Sequence, residues 1–409
     1  MTSTISDPTT TLHAAPRSDL PTDGIGALVI GGDYQGLGIV RSLGRQGVPV
    51  CILDNELSIA RFSRHTKHTV RVAELRDETQ TVETILSTGR ELKLDGWILY
   101  PTRDETVAAL SRHRDLLSRS FRVPTMHWDV VRWAWDKRNT YQMALDLGIP
   151  IPKTWFLSSL DDVDRLDLRF PLIIKPAIKE HFIYATKAKG WRANSRDELI
   201  RLLQQAAGFV PVPELMLQEY IPGGSGQQYG YGAFFKDGRA VGLMVTHNLR
   251  SHPLQLGRSS TFVQSIDLPV IEERAQTFLR AINYYGLVEV EFRLDPRDGD
   301  YKLLDVNART WGYHSLGAAA GVDFSYMLFR DLTGQPVSPC RARPGVVWAR
   351  LTTDIPSGLL AVVAGQLGLW KFVKSIASLD TEPVFSLNDP MPALAEAALI
   401  PYLFYKRGF

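Results

Sequence analysis

The sequence predicts an α/β protein: a Rossmann-like domain that runs on into a mixed α+β module. Two observations carry this. Near the start, Gly26-Ala-Leu-Val-Ile-Gly-Gly-Asp reads as a buried parallel strand entering a glycine turn. A helix from Gly36 to Gly47 and a strand from Val48 to Leu53 follow, the order of a βαβ unit. Far downstream, Gly286–Asp295 and Tyr301–Arg309 alternate apolar and polar residues on either side of Asp298-Gly299, a strong hairpin signal. The length, 409 residues, allows two or three domains with real cores.

Composition narrows the function classes. The formal net charge is +2, with 22% charged and 44% hydrophobic residues, ordinary for a globular protein. No basic excess points to nucleic acid as a partner. Cys51 and Cys340 are the only cysteines, which excludes a disulfide framework and a Cys-rich zinc site. That usage suits a reducing compartment, and a cytoplasmic location is expected. Residues 1–24 are rich in Thr, Ser, Pro and Asp without an apolar signal-peptide core, and are expected to form a disordered tail. No uninterrupted apolar run is long enough to predict a transmembrane segment.

The first domain is expected over 25–126. Its glycines, Gly31, Gly32, Gly36 and Gly38, do not fit G-x-G-x-x-G in any register, so a dinucleotide site is a weak reading. Helical periodicity resumes from Glu74 to Gly89, and Gly96-Trp-Ile-Leu-Tyr-Pro is a further strand. Thr102 or Asp104 is placed to cap the helix that follows. Arg103, Asp104 and Glu105 also stand at a strand end, where open α/β sheets bind ligands.

Beyond Pro124, the tryptophans 128, 133 and 135 read as packing, and a helix follows Asp136-Lys137. Phe170-Pro-Leu-Ile-Ile-Lys-Pro is a strand that delivers Lys175 at the end of an apolar run, where its charge needs a partner; a phosphate is a good one. Lys179, His181, Lys187, Lys189 and Gly190 read as a basic loop, suited to covering a polyphosphate or to a solvated hairpin tip. A helix opens at Asn194-Ser-Arg-Asp-Glu, and Leu215–Glu219 is a strand with Gln218 and Glu219 at its polar end. A hairpin turns at Lys236-Asp-Gly-Arg. The polar segment after it, with Arg250, Arg258, Ser259 and Ser260, suits an anionic substrate.

In the downstream hairpin, Glu289 and Glu291 share one strand face, and Asp305, Asn307 and Arg309 share another. If the two faces coincide, the acids crowd a patch that is costly to desolvate unless a cation sits in it, and Mg²⁺ suits such oxygen ligands. A solvated face with cross-strand charge pairs is the plainer reading of the same spacing.

Taken together, the order of parts resembles the ATP-grasp superfamily, in particular its carboxylate–amine ligase-like members. It comprises the Rossmann-like domain, a Lys before a helix, a strand ending Lys-Pro, Gln-Glu-Tyr-Ile-Pro-Gly, and Glu-x-Phe followed by Leu-Asp-Val-Asn-Ala-Arg. The resemblance covers about residues 26 to 335. It implies an ATP-grasp domain over 127–335 with a lid subdomain at about 150–220, and a C-terminal extension over 336–409. It implies that Lys137 and Lys175 hold ATP phosphates, that Gln218, Glu219 and Ile221 form the adenine hinge, and that Gln228 stands toward the ribose. Glu291, Asp305 and Asn307 would ligate Mg²⁺ (or Mn²⁺), and Arg309 would neutralise the reacting phosphate; Glu289 has no counterpart.

The implied activity is ATP-dependent joining of a small-molecule carboxylate to an amine through an acylphosphate, releasing ADP and phosphate. The alternatives are a nucleotide-binding regulatory protein without ligase activity and, more weakly, a dinucleotide oxidoreductase. In the extension, Pro356–Ile376 and Pro392–Phe404 are apolar with basic residues near their ends. That pattern admits peripheral membrane contact. Packing on its own domain or in a homodimer is the commoner cause.

Overall fold

The computed structural model describes residues 24–252 and 259–407. Three sheets organise them. The first holds β1 (Ala27–Ile30), β2 (Val50–Asp54), β3 (Thr66–Arg71) and β4 (Ile98–Pro101) in the order β3-β2-β1-β4, all parallel. Every residue of β1, β2 and β4 is buried, as expected for strands covered on both faces. Leu28 and Ile30 pack on one side, Ala27 and Val29 on the other.

β3 is not foreseen by the sequence pattern. Its residues, Thr-Lys-His-Thr-Val-Arg, alternate between half-buried and exposed at the sheet edge, so no apolar run marks it. His68 is one of these edge residues.

The turns of this sheet are closed by the chain itself. Gly31 has φ +98°, and a Cβ there would lie 2.1 Å from Thr102 Oγ1; at Gly32 it would lie 2.4 Å from Ser58 Oγ. The Gly32 N–H donates to Asp54 Oδ2 at 2.7 Å, and Arg103 Nη2 donates to Asp54 Oδ1 at 2.9 Å. A carboxylate of the protein therefore fills the position where a dinucleotide fold would present its turn to pyrophosphate. The glycines serve close packing of this chain.

The second sheet is small: β5 (Thr154–Phe156), β6 (Leu172–Pro176), β7 (Trp191–Ala193) and β8 (Leu215–Glu219) in the antiparallel order β5-β8-β6-β7. The Arg196–Ala207 helix covers it, capped by Ser195, whose side chain accepts from the Glu198 N–H. The segment expected as a basic loop differs. Lys179–Thr186 is a helix, because Lys-Glu-His-Phe-Ile-Tyr-Ala-Thr contains no breaker and buries Phe182 fully beneath it.

The third sheet contains β9 (Gln228–Lys236), β10 (Arg239–His252), β11 (Ser259–Ile266), β12 (Gly286–Asp295), β13 (Asp300–Asn307), β14 (Cys340–Arg341) and β15 (Val347–Ala349). Its path is β13-β12-β9-β10-β11-β15, with β14 beside β10. Both hairpin turns form as their sequences require: Asp237 and Gly238 have φ of 52° and 70°, and Gly299 has φ 74°. The helices Lys137–Asp146 and Pro269–Ala281 pack under this sheet on Tyr141, Phe278 and Phe292, each fully buried. Each such ring contributes about 1.5–3 kcal/mol of burial.

After β15, the helices Leu351–Val363, Leu369–Ala377 and Met391–Arg407 complete the described chain. No helix among the described residues is long and apolar enough to cross a membrane.

Candidate active site

The site lies where the small sheet faces β12 and β13. The hairpin register places Glu289 opposite Asn307 and Glu291 opposite Asp305, so the two polar faces do coincide. A bulge sharpens this. Asp305 pairs with Glu291 while Leu303 pairs with Phe292, leaving Leu304 as an extra residue. Leu303 enters the core, whereas Leu304 and Asp305 both line the cleft. The bulge is pinned by the Tyr141 hydroxyl donating to the Leu304 carbonyl at 2.9 Å and by the Leu303 N–H donating to the Pro150 carbonyl at 2.8 Å.

Around this floor stand the cations. Lys137 Nζ is 2.5 Å from Asp305 Oδ1. Its backbone N–H donates to the Ala177 carbonyl at 3.1 Å, joining the helix below the floor to the end of β6. Lys175, on β6, donates to Gln218 Oε1 at 2.6 Å across the small sheet. Burial and the neighbouring Lys137 charge pull the Lys175 ammonium down to about 7. Burial alone would raise Asp305, but Lys137 and Lys179 override it and hold the carboxyl below its ordinary value.

Arg309 grips Asp104 with two bonds, at 2.8 and 2.9 Å, and Lys179 pairs with the same carboxylate. Asp104 thus reaches from just past β4 to cations at the edge of the cleft. Burial opposes its charge, yet Arg309 and Lys179 hold it far below the usual carboxylate range. It caps nothing: the helix begins with Arg103 at the N-cap and no side-chain bond. Spacing alone left capping and ligand contact equally open for Asp104. A carboxylate facing two distant cations is a tertiary fact.

The remaining predicted residues take definite places. Gln218 is buried, donating to Tyr141 Oη and Thr154 Oγ1 at 3.1 and 3.0 Å. Its amide therefore positions Lys175. Glu219 and Ile221 line the cleft; Glu219 accepts from the Lys153 N–H at 2.8 Å and from Arg297 at 2.7 Å. Gln228 donates to Glu291 Oε2 at 2.7 Å. Asn307 turns its amide nitrogen toward Glu289 and Glu291, at 3.2 and 3.0 Å, and its oxygen toward Arg309 and Lys179, at 3.1 and 3.3 Å.

Three substrate candidates lie elsewhere. Arg250 points away from the cleft: it holds Asp354 at 2.5 and 2.9 Å and Ser375 at 2.8 Å, beneath the C-terminal helices. Ser260 accepts from the Asn248 amide at 3.0 Å, and Ser259 pairs with His252 along β11. Arg258 lies outside the described residues. From β10, Ser251 reaches the cleft.

Glu289, set aside in the sequence, is buried and bonded to the Tyr313 hydroxyl. Burial and the Glu291 charge raise its carboxyl to about 8. Tyr313 fits only because β9 carries glycines opposite the two glutamates. A Cβ at Gly230 would lie 2.1 Å from Tyr313 Oη, and one at Gly232 would lie 2.3 Å from the Trp311 ring. Glycine alternating with tyrosine inside a strand is the sequence signal that would have marked this contact.

Among the described residues, no group of three or more His, Cys, Asp or Glu stands ready to hold a metal. Two carboxylates and an amide are nevertheless the donor set that Mg²⁺ takes when a nucleotide supplies the rest. Glu291 meets the amides of Gln228 and Asn307 rather than a cation among the described residues, with Asp305 opposite it, so the carboxylates present fit the ion.

A family model, the carbamoyl-phosphate synthase L chain ATP binding domain, matches residues 259–338, which include the whole β12–β13 hairpin. Among solved structures, an L-amino acid ligase from Bacillus licheniformis aligns with a TM-score of 0.60 at 16% identity, over 79% of this chain and 78% of that one. The biotin carboxylase domain of the Hydrogenobacter thermophilus 2-oxoglutarate carboxylase, solved with MgADP, aligns at 0.63 and 15% identity, over 78% and 73%. The chain has the ATP-grasp fold. Within that fold the small sheet faces a floor formed by β9–β13 across the cleft. In sequence, the D-aspartate ligase of Enterococcus faecium (strain Aus0004) is 23% identical over 297 residues, covering 69% of this chain and 70% of that protein.

Proposed function

We propose that this chain is an ATP-dependent ligase that activates a small-molecule carboxylate as an acylphosphate and joins it to an amine, releasing ADP and phosphate. One observation carries the reading. Lys137, Lys175 and Lys179 line one cleft, lidded by the small sheet and floored by the Glu291–Asp305 pair, and Arg309 stands behind that floor, bonded to Asn307 and Asp104. Phosphoryl transfer to a carboxylate needs positioning and charge neutralisation rather than a protein nucleophile, and that is what these residues supply.

Lys137 and Lys175 hold the phosphates of ATP from floor and lid. The hinge at Glu219–Ile221 meets the base. The acid's carboxylate attacks the γ-phosphorus, and the bond to the β-phosphate oxygen breaks as ADP leaves. Arg309 and Lys179 exchange Asp104 for the developing negative charge. Glu291, Asp305 and Asn307 would hold Mg²⁺, which neutralises phosphate charge when bound. The lid excludes water from the acylphosphate until the amine attacks the acyl carbon, displaces phosphate and loses its proton.

The ligase names of the Enterococcus and Bacillus relatives support an amino acid as one substrate. The test is ADP release by purified protein with ATP and Mg²⁺ against a matrix of amino acids, peptides and amino sugars. Turnover that requires both an acid and an amine is expected. Tight ATP binding without turnover on any pair would instead make the chain a nucleotide-responsive regulator.

A further inference from the structure

The C-terminal extension carries an inverted helical hairpin. In Leu351–Val363 and Leu369–Ala377, the residues facing the rest of the protein are small or polar: Thr353, Asp354, Ser357, Gly358 and Ala361, with Phe372 closing the space over Gly358. Arg250 and Thr261 bond Asp354, Arg250 bonds Ser375, and His252 bonds Ser357. The hairpin is therefore fastened by its polar side. Its outward side is apolar: Leu359, Leu360, Val363, Leu369, Trp370 and Val373 are all exposed, Val363 to 86% and Trp370 to 68%. A helix pair serving only the core would be turned the other way. Most of the exposed large apolar side chains among the described residues lie in this extension.

Charge selects what covers this face. From Ile355 to Ser378 the sequence contains no Asp or Glu, and its charges are Lys371 and Lys374. Lys374 Nζ lies 5.6 Å from the Trp370 ring centroid, on the same short helix. We propose that this hairpin docks the protein on a lipid bilayer with anionic headgroups, the apolar side chains entering the interface and the two lysines meeting the headgroups. A second copy fits less well. A two-fold contact would set Lys371 and Lys374 against their own images with no acid in the hairpin to answer them. The helices are too short to span, so contact stays at the surface.

Docking would also orient the cleft. The hairpin is tied to β10 through Arg250, and Ser251, the next residue, lines the cleft. This inference does not depend on which reaction the cleft performs.

The experiment is co-sedimentation of the full chain with vesicles of phosphatidylcholine alone and with about 30% phosphatidylglycerol, at low and high salt. Binding to the anionic vesicles is expected, weakened by salt and at least tenfold above the neutral ones. Two lysines at an anionic surface contribute about fivefold each, so Lys371→Gln with Lys374→Gln lowers the partition by about 25-fold. Leu360→Ser, Val363→Ser and Trp370→Ser together abolish it. ATP binding and the thermal melt report that both variants remain folded. Absence of binding to anionic vesicles overturns the proposal, as does undiminished binding by the folded triple variant. A dimer that the triple variant dissociates, without vesicle binding, assigns the face to a second copy instead.

Discussion

The molecule has two crevices where strand ends meet polar residues, and they solve the same electrostatic problem in opposite ways. At the ends of β1, β2 and β4, charges are settled locally: Asp54 takes both the Gly32 N–H and the Arg103 guanidinium, within one domain. In the cleft between the small sheet and the floor, one carboxylate reaches across: Asp104, just past β4, neutralises Arg309 of the floor and Lys179 beside the small sheet, while Lys137 answers Asp305 within the floor. A self-contained pair is a structural element. A pair whose members belong to different bodies is interrupted whenever those bodies move, and that makes its cations available to a ligand.

The contrast can be broken most severely at the floor. Arg309→Ala should reduce ADP-forming turnover by about 10²–10³-fold, the usual loss for one preorganised charge in a water-poor site. Steady-state kinetics with saturating ATP check it, and a loss under about fivefold would remove Arg309 from the reaction. In the first crevice, Asp54→Ala should leave ATP affinity unchanged while costing about 3 kcal/mol of stability, because Arg103 and the Gly32 N–H lose their partner. Urea unfolding with parallel nucleotide titration separates the two. NADH titration of the unmodified chain should show no binding there.

The pH behaviour sharpens the comparison further. Lys175 has its value depressed to about 7, so in the nucleotide-free protein it sheds its proton above that pH. Its unfavourable buried charge is fully present below about 7 and is relieved as the pH rises toward the ordinary lysine value, so this residue makes stability increase with pH across that window. ATP phosphates favour the charged form. Binding above pH 7 should therefore take up a proton, and affinity should fall from pH 7 to 9. Calorimetry in two buffers of different ionisation heat measures the uptake, and Lys175→Met should abolish it.

The smallest expected effect is at the bridge. Asp104→Asn releases Arg309 and Lys179 from their internal partner, so affinity for ADP should rise roughly threefold to tenfold, on the scale of one ordinary hydrogen bond. Unchanged or weaker ADP binding would show that the bridge positions Arg309 rather than competing with ligand.

Much of this was legible in the sequence because it is local. The βαβ opening, the two turn dipeptides and the period-two hairpin depend on neighbours, and the faces of Glu291, Asp305 and Asn307 followed from alternation. What escaped was set by distant contacts. β3 has no core face to announce it. The basic residues of the Lys179–Thr186 helix suggest a solvated loop, while Phe182, buried beneath it, carries the fold. Arg250 was read toward a substrate, since nothing near it in sequence names Asp354 as its partner. The glycines of β9 had meaning only once Tyr313 and Trp311 arrived from beyond the hairpin.

The single bond from the Lys137 amide to the Ala177 carbonyl has a mechanical consequence. It lies between Lys137 and Lys175, and it is where the small sheet meets the helix beneath the floor. On the proposed reaction, a small sheet turning about that point would behave as a lever whose fulcrum lies beside Lys137 and Lys175. Those two lysines would keep nearly the same separation, while the side of the sheet farthest from the bond would sweep the longest arc. Grip on a ligand would then be set at the axle and closure at the rim, so the two could be tuned by different residues.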